Sequence, residues 1–148
     1  MSLLAPTPTT VAALALGALL GCASGVPRGR LRVDLTGPDA GPGSLQERAL
    51  VDAVRDAAAA EGLACQPGAG GLLLRCSPAT FGSQGRAVVL ELERTGSGYS
   101  VRAEQGIRLR RSEAACEVQR RVAERLGAAV GPQAVRVDAR SDCKAKKT

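Results

Sequence analysis

The chain has 148 residues and a formal net charge of +6 at pH 7. Its length, less a leader of about twenty residues, fits one domain with a small core and argues against a second folded domain. The sequence has no histidine, which excludes Ser-His-Asp triads and imidazole general bases. Because only Phe81 and Tyr99 are aromatic and alanine buries little area, we expect a thin core.

An apolar leader opens the chain. Val11 to Leu20 contains about ten apolar residues, which is the length of a signal-peptide core and roughly half of a membrane span. Leu19-Leu20-Gly21-Cys22 follows and resembles the lipobox of bacterial lipoproteins. That resemblance implies cleavage before Cys22 and acylation of its thiol, which would attach the protein to a membrane. The leader departs from the usual pattern because Met1 to Thr10 contains no lysine or arginine.

The resemblance predicts the organisation of the whole chain. Residues 1–21 are the predicted signal peptide, 22–29 a lipidated tether, 30–143 a single domain and 144–148 a basic tail. An uncleaved membrane anchor and a chance apolar helix in a soluble protein remain as alternatives. Ala23 follows the cysteine where an aspartate would resemble an inner-membrane retention signal. In a cell with two membranes, the predicted location is therefore the outer membrane, facing the periplasm.

The cysteines support export. Five is an odd number, but assigning Cys22 to the lipid leaves Cys65, Cys76, Cys116 and Cys143, which can pair completely. Three connectivities are possible, and we favour Cys65–Cys76 and Cys116–Cys143 because each pair joins elements that are neighbours in the predicted fold. The closed loops are worth about 3 and about 3.5 kcal/mol. The lack of a Cys-x-x-Cys pair and of histidine argues against zinc and against a redox dithiol.

The first half of the domain predicts a strand, a helix and a hairpin. Arg30 to Thr36 alternates as a half-buried strand does. Ser44 and Glu47 form a capping box in which each side chain satisfies the other residue's backbone N–H, and the predicted helix runs to about Glu61, before Gly62. Its predicted apolar stripe consists of Leu45, Ala49, Ala53, Val54 and Ala57. Two short strands, residues 63–66 and 72–76, then flank a turn.

The second half predicts two longer strands, a helix and a last strand. In residues 86–94, Val88, Leu90 and Leu92 point inward and Glu91 and Glu93 outward. The next strand alternates from Tyr99 and extends past Gly106. Ser112 caps a helix over residues 113–129, and residues 134–140 form the last strand. The helix's predicted apolar stripe consists of Ala115, Val118, Val122, Leu126 and Ala129. The predicted fold is an α+β two-layer sandwich, with two helices on one face of a mainly antiparallel sheet of about five strands.

No constellation of residues predicts a reaction. Glu91 and Glu93 are neighbours on a predicted strand face, where two solvated acids explain them as well as a catalytic pair does. The turn at 68–71 lacks the lysine and the helix of a phosphate-binding loop. We therefore predict no enzyme, no cofactor and no metal. We also predict no nucleic-acid partner, because aromatic stacking residues are missing.

An arginine-rich patch is the candidate binding surface. Its core is Arg102, Arg108, Arg110 and Arg111, with further arginines in the following helix, and guanidinium groups bind phosphate and carboxylate groups well. The leading hypothesis remains a non-catalytic envelope lipoprotein that binds another envelope protein or stabilises an assembly. The alternative is a binder of anionic envelope glycolipid or polymer through this patch, and an enzyme ranks third.

Overall fold

Two helices pack on one face of an antiparallel sheet in the computed structural model of the chain, which describes residues 28–79, 88–105 and 114–143. Contacts between the two helices and from both to the sheet place them side by side in one layer. The predicted α+β sandwich is therefore confirmed. The elements are β1 (Gly29–Val33), α1 (Leu45–Ala60), β2 (Leu63–Pro67), β3 (Leu72–Pro78), β4 (Val88–Thr95), β5 (Gly98–Gln105), α2 (Ala114–Val130), a 3-10 turn (Pro132–Ala134) and β6 (Val135–Val137).

The sheet has the strand order β2-β3-β4-β5-β1-β6, and every neighbouring pair within the described residues is antiparallel. The sheet therefore has six strands where about five were predicted, because all six strand segments identified in the sequence pair in a single sheet. β1 lies between β5 and β6, so the first and last strands of the described chain are neighbours. This arrangement brings both ends of the domain together.

The core lies between the sheet and the helices. Alternation dictates which strand residues enter it, because successive side chains point to opposite faces. The predicted inward positions of β4 and β5 are buried, including Leu90, Leu92 and Val101. On the other face, arginines and glutamates cover the strands. The largest buried side chains are leucines and valines, which is the thin aliphatic core that the composition predicts.

The buried stripe of α1 differs from the predicted one. Leu45 is 74% exposed and Ala49 is also exposed, whereas Leu50, absent from the predicted stripe, is fully buried. The buried positions follow the 3.6-residue period from Glu47 through Leu50 to Val54, and then to Ala57 and Ala58. Alanine is a weak marker of a core face, and it shifted the predicted stripe towards solvent. Val54 and Ala57 were predicted correctly.

The cap of α1 is only half of the predicted box. Ser44 Oγ accepts a hydrogen bond from the Glu47 backbone N–H at 3.1 Å, as predicted. Glu47, however, accepts from the backbone N–H of Gly43 at 3.0 Å. Its carboxylate turns into the protein, where it pairs with the Arg94 guanidinium. Gly62, with φ of 75°, ends the helix in the left-handed conformation that favours glycine.

Two strand boundaries and one buried position also differ from the predictions. β1 ends at Val33 rather than at residue 36, and β6 covers three residues rather than seven. β6 is the edge strand and pairs only with β1 among the described residues, and Val137 is 44% exposed. In α2, Ala129 is exposed while Val118, Val122 and Leu126 are buried. The predicted cap Ser112, the extension of β5 beyond residue 105 and the tail 144–148 lie outside the described residues.

Two disulfides, Cys65–Cys76 and Cys116–Cys143, join neighbouring elements. The first links directly paired positions of β2 and β3, and the second joins the first turn of α2 to the segment after β6. These are the pairs that the sequence analysis favours. Loop-closure arguments give the longer loop the larger contribution to stability, and both matter for a small core.

Candidate functional site

The described chain begins, ends and is interrupted at one and the same end of the sandwich. The antiparallel order places the start of β1 beside the end of β5, which in turn lies beside the start of β4. The end of β3 adjoins the start of β4, and Cys143 is tied to the first turn of α2. We call this surface the entry end and define it by Arg28, Ala79, Val88, Gln105, Ala114 and Cys143.

Hydrogen bonds hold the two termini of the domain together at the entry end. Asp142 Oδ2 accepts from the Arg28 backbone N–H at 2.9 Å, and the Asp142 N–H donates to the Arg28 carbonyl at 2.9 Å. Ser141 Oγ accepts from the backbone N–H of Arg30 at 3.0 Å and donates to Gln119 Oε1 at 2.8 Å. The start of β1, the start of α2 and the C-terminal segment are therefore one connected unit.

A cavity of about 210 Å³ lies beside this unit, between the end of α1 and the first turns of α2. Its apolar wall includes Leu63, Val88 and Val118, which are nearly buried. Glu61, Glu117 and Arg121 supply its polar groups. The volume is smaller than the roughly 300–1,000 Å³ of a typical small-molecule site. The cavity is thus too small to enclose a substrate of ordinary size.

Arg121, the positively charged residue of the cavity, forms an ion pair with Glu61. Arg121 Nε lies 2.6 Å from Glu61 Oε1, and Arg121 Nη2 lies 2.9 Å from Glu61 Oε2. The hydrogen bond to Glu61 raises the pKa of Arg121. This bidentate pair uses two of the five N–H donors of the guanidinium and balances its charge with a carboxylate. The pair therefore serves mainly to join the end of α1 to α2.

The predicted arginine patch is only partly described. Arg102 lies on the helix-free face of the sheet, whereas Arg108, Arg110 and Arg111 lie outside the described residues. Arg102 Nη2 is 2.9 Å from Glu91 Oε2 and 3.6 Å from Glu93 Oε2. Arg75 on β3 contacts the other oxygen of Glu91 at 3.4 Å. The described member of the patch is consequently neutralised by its neighbours.

The same contacts involve Glu91 and Glu93, the two carboxylates that the sequence places on one strand face. Glu91 and Glu93 do share a strand face, but both are within reach of Arg102. Both carboxylates are therefore engaged in ion pairs with an arginine of the neighbouring strand.

Arginine–aspartate pairs cover the other half of the same face. Asp34 contacts Arg32 on β1 and Arg136 on β6, and these hydrogen bonds, with that of Arg32 the larger, lower the pKa of Asp34. Asp138 accepts from the Arg140 guanidinium, which lowers the pKa of Asp138. These pairs are exposed, so each contributes little to stability. Positively and negatively charged side chains therefore alternate across this part of the surface.

The sequence analysis did not predict a buried polar cluster formed by Glu47, Arg94 and Tyr99. Glu47 on α1 is 6% exposed and receives hydrogen bonds from Arg94 on β4 and from Tyr99 on β5. The Arg94 guanidinium holds the pKa of Glu47 down to about 2, and bonds from Gly43 and Tyr99 act in the same direction. Burial, followed by the Glu47 carboxylate, raises the pKa of Tyr99. Both Glu47 oxygens, the Tyr99 hydroxyl and two Arg94 nitrogens are hydrogen-bonded within the protein, which is typical of a structural cluster.

Across the described parts of the chain, no group of three or more histidine, cysteine, aspartate or glutamate side chains could hold a metal ion. Neither α1 nor α2 is long and apolar enough to cross a bilayer. No family model matches the sequence, and no significant match was found among curated proteins or solved structures. Cys22 lies outside the described residues.

Proposed function

We propose that this protein is a non-catalytic lipoprotein of the bacterial envelope, anchored through Cys22, that acts as a binding or assembly component. The main support for this proposal is the way in which the five cysteines are divided between disulfides and the lipobox-like segment. The two disulfides use four of the five cysteines in the sequence, and the fifth is Cys22 of the lipobox-like segment. Disulfides persist in oxidising compartments, which supports export. Ala23 favours the outer membrane, facing the periplasm, in a cell with two membranes.

The short distance between Cys22 and the domain supports anchoring. β1 begins at Gly29, and Arg28 is already held by Asp142. Five residues lie between Cys22 and Arg28, and six extended Cα–Cα steps span at most about 20 Å. A lipid on Cys22 would therefore keep the domain close to the bilayer surface.

The chemistry of the described surface supports a non-catalytic role. The half-buried carboxylates Glu61 and Glu91 are paired with arginines, and the cavity at the entry end is small. A partner protein of the envelope fits a surface of this kind better than a small substrate does. The alternative, an anion binder acting through the arginine patch, has less support because Arg102 is committed to Glu91 and Glu93.

Intact-mass measurement tests the anchor. The full chain is expressed in a bacterial host, and the membrane fraction is compared with that of a Cys22→Ser variant, before and after reduction. We expect a mass that corresponds to cleavage before Cys22 plus acyl chains, absent from the variant. We also expect four thiols that become reactive only after reduction. An uncleaved or soluble product with five reactive thiols would overturn the proposal.

A pull-down tests the binding role. The lipidated protein is cross-linked in intact cells, and the Cys22→Ser variant, which lacks the anchor, serves as the control. One defined envelope protein, captured in stoichiometric amount with the lipidated form, is the expected result. Turnover of an envelope substrate by the purified protein would contradict the non-catalytic part of the proposal.

A further inference from the structure

The charged side chains on the helix-free face of the sheet form rows that run across the strands. One row consists of directly paired positions of β3, β4, β5 and β1, namely Arg75, Glu91, Arg102 and Arg30. Asp138 continues this row, because its backbone N–H donates to the Arg30 carbonyl. Opposite charges are therefore neighbours along the row, except between Arg102 and Arg30. Like charges on directly opposed residues destabilise a sheet, so this pair is unfavourable unless an anion lies between the two guanidinium groups.

A second pair of opposed arginines on this face shows how such a pair is stabilised. Arg32 on β1 and Arg136 on β6 occupy directly paired positions. Asp34 bridges them, because its Oδ1 accepts from Arg32 Nε at 2.9 Å and its Oδ2 accepts from the Arg136 guanidinium. An anion between two opposed arginines is thus already part of this surface.

Arg30 and Arg102 have no equivalent carboxylate in the part of the chain that the structure describes. Asp138 is hydrogen-bonded to the Arg140 guanidinium at 3.2 Å, and Glu104, the next residue of β5 on this face, pairs with neither arginine. Within the same part of the chain, the Arg30 guanidinium makes no hydrogen bond or ion pair. Arg102 contacts the glutamates of β4 through Nη2, whereas its Nε is buried and has no partner.

A buried hydroxyl lies next to this pair of arginines. Ser100 precedes Arg102 by two positions on β5, so both side chains lie on the helix-free face. Ser100 is paired with Arg32 and therefore diagonal to Arg30, which is within reach of a long side chain. It is 6% exposed, and its Oγ has no hydrogen-bond partner among the described residues. A buried hydroxyl without a partner is unfavourable and often marks the place of a bound group.

We propose that Ser100, Arg102 and Arg30 form a binding site for a terminal phosphate group. Such a group offers three acceptor oxygens and a negative charge, which match one hydroxyl and two guanidinium donors. A carboxylate has two acceptor oxygens and would match these donors less well. The flanking Arg32 and Arg102 side chains are long and partly exposed, so a ligand can enter between them. This site goes beyond the proposed function, because it requires neither the anchor nor a protein partner.

Isothermal titration calorimetry of the purified full-length protein tests the site. Two probes are titrated at constant ionic strength. Inorganic phosphate represents free phosphate, and glycerol 3-phosphate represents a terminal phosphate on a headgroup. We expect saturable binding of one phosphate group per chain, and the probe that binds more tightly identifies the source. No saturable binding of either probe, or equal binding of acetate, would overturn the proposal.

Ser100→Ala is the most specific variant, because it removes the unpaired hydroxyl without a change of charge. We expect it to weaken phosphate binding about tenfold, the effect of losing one hydrogen bond to a charged group. Its stability in urea should be unchanged or higher, since a buried polar group without a partner is removed. Ser77→Ala is the matched control, because Ser77 is an exposed serine on the same face of β3. Equal affinity of the two variants for phosphate would show that Ser100 takes no part in binding.

Arg30→Gln tests the contribution of charge. We expect it to weaken phosphate binding about tenfold as well, because a charge-assisted hydrogen bond is lost. Arg120→Gln removes the same charge from α2, where the Arg120 side chain is 63% exposed, and it should have little effect. An equal loss in both variants would mean that phosphate responds to the net charge of the protein and not to this site, which would contradict the proposal.

Discussion

The Arg94 guanidinium on β4 and the Glu47 carboxylate on α1 form a bidentate pair between the two layers of the fold. Arg94 Nη2 lies 2.7 Å from Glu47 Oε1, and Arg94 Nε lies 3.0 Å from Glu47 Oε2. Tyr99 Oη donates to the same carboxylate at 2.7 Å. Glu47 is thus held by two strands as well as by its own helix, and it fixes the position of the N-terminal turn of α1 against the sheet.

Removing the charge of Glu47 should destabilise the protein. We expect Glu47→Gln to lower the free energy of unfolding by about 2 kcal/mol, because a hydrogen bond to a charged group contributes about 1.5 to 3 kcal/mol. Glu124→Gln is the matched control, since the Glu124 side chain is 65% exposed and its pair with Arg120 is a surface pair. Urea unfolding of the oxidised proteins measures both. A cost for Glu47→Gln no greater than that of the control would show that the cluster is not structural.

The same cluster predicts how stability depends on pH. Folding lowers the pKa of Glu47 from 4.5 to about 2. A carboxyl with a depressed folded-state pKa contributes stability that is fully present above its unfolded pKa and is lost as pH falls towards the folded value. The stability difference between wild type and Glu47→Gln should therefore be constant from pH 7 to about 5 and shrink between about pH 5 and 2. Urea titrations at several pH values measure it, and a difference that stays constant down to pH 2 would contradict the prediction.

Two leucines of α1 should differ sharply in their effect on stability. Leu50 is fully buried and Leu45 is 74% exposed. Leu50→Ala should cost about 2 to 5 kcal/mol, through lost transfer free energy and the cavity that remains. Leu45→Ala should change the free energy of unfolding by less than about 0.5 kcal/mol. Chemical denaturation of the two variants measures the difference directly. A larger loss at Leu45 would mean that the stripe predicted from sequence is the correct one.

Gly29 is required where β1 passes under α2. A Cβ at this position would lie 2.7 Å from Gln119 Oε1 and 3.0 Å from Gln119 Cβ, while at Gly41 it would meet nothing within 4 Å. We expect Gly29→Ala to cost about 1 to 3 kcal/mol through overpacking. Gly41→Ala, the matched control, should be neutral or slightly stabilising. Thermal unfolding of both variants tests this, and equal melting temperatures would show that Gln119 can move aside at no cost.

Local rules explain which predictions agree with the structure. Alternation identified the inward side chains of β4 and β5, since a strand with one buried face has few other solutions. Ser44 and Gly62 marked the ends of α1, because capping depends on residues adjacent in sequence. The disulfide pairs followed from the expected order of strands. In the candidate site, the sequence analysis identified Arg102, Glu91 and Glu93 but did not predict that they contact one another.

The sequence by itself determined the elements of this protein, their chain order and the α+β class, because hydrophobic period, caps and turn residues act over a few positions. The tertiary structure alone decided that Glu47 is buried against Arg94 and that Arg102 is neutralised by glutamates of the neighbouring strand. It also decided that Arg28, the strand ends and Cys143 meet at one end. Those relationships join residues far apart in the chain, and their energies depend on distances and burial that exist only after the strands have paired.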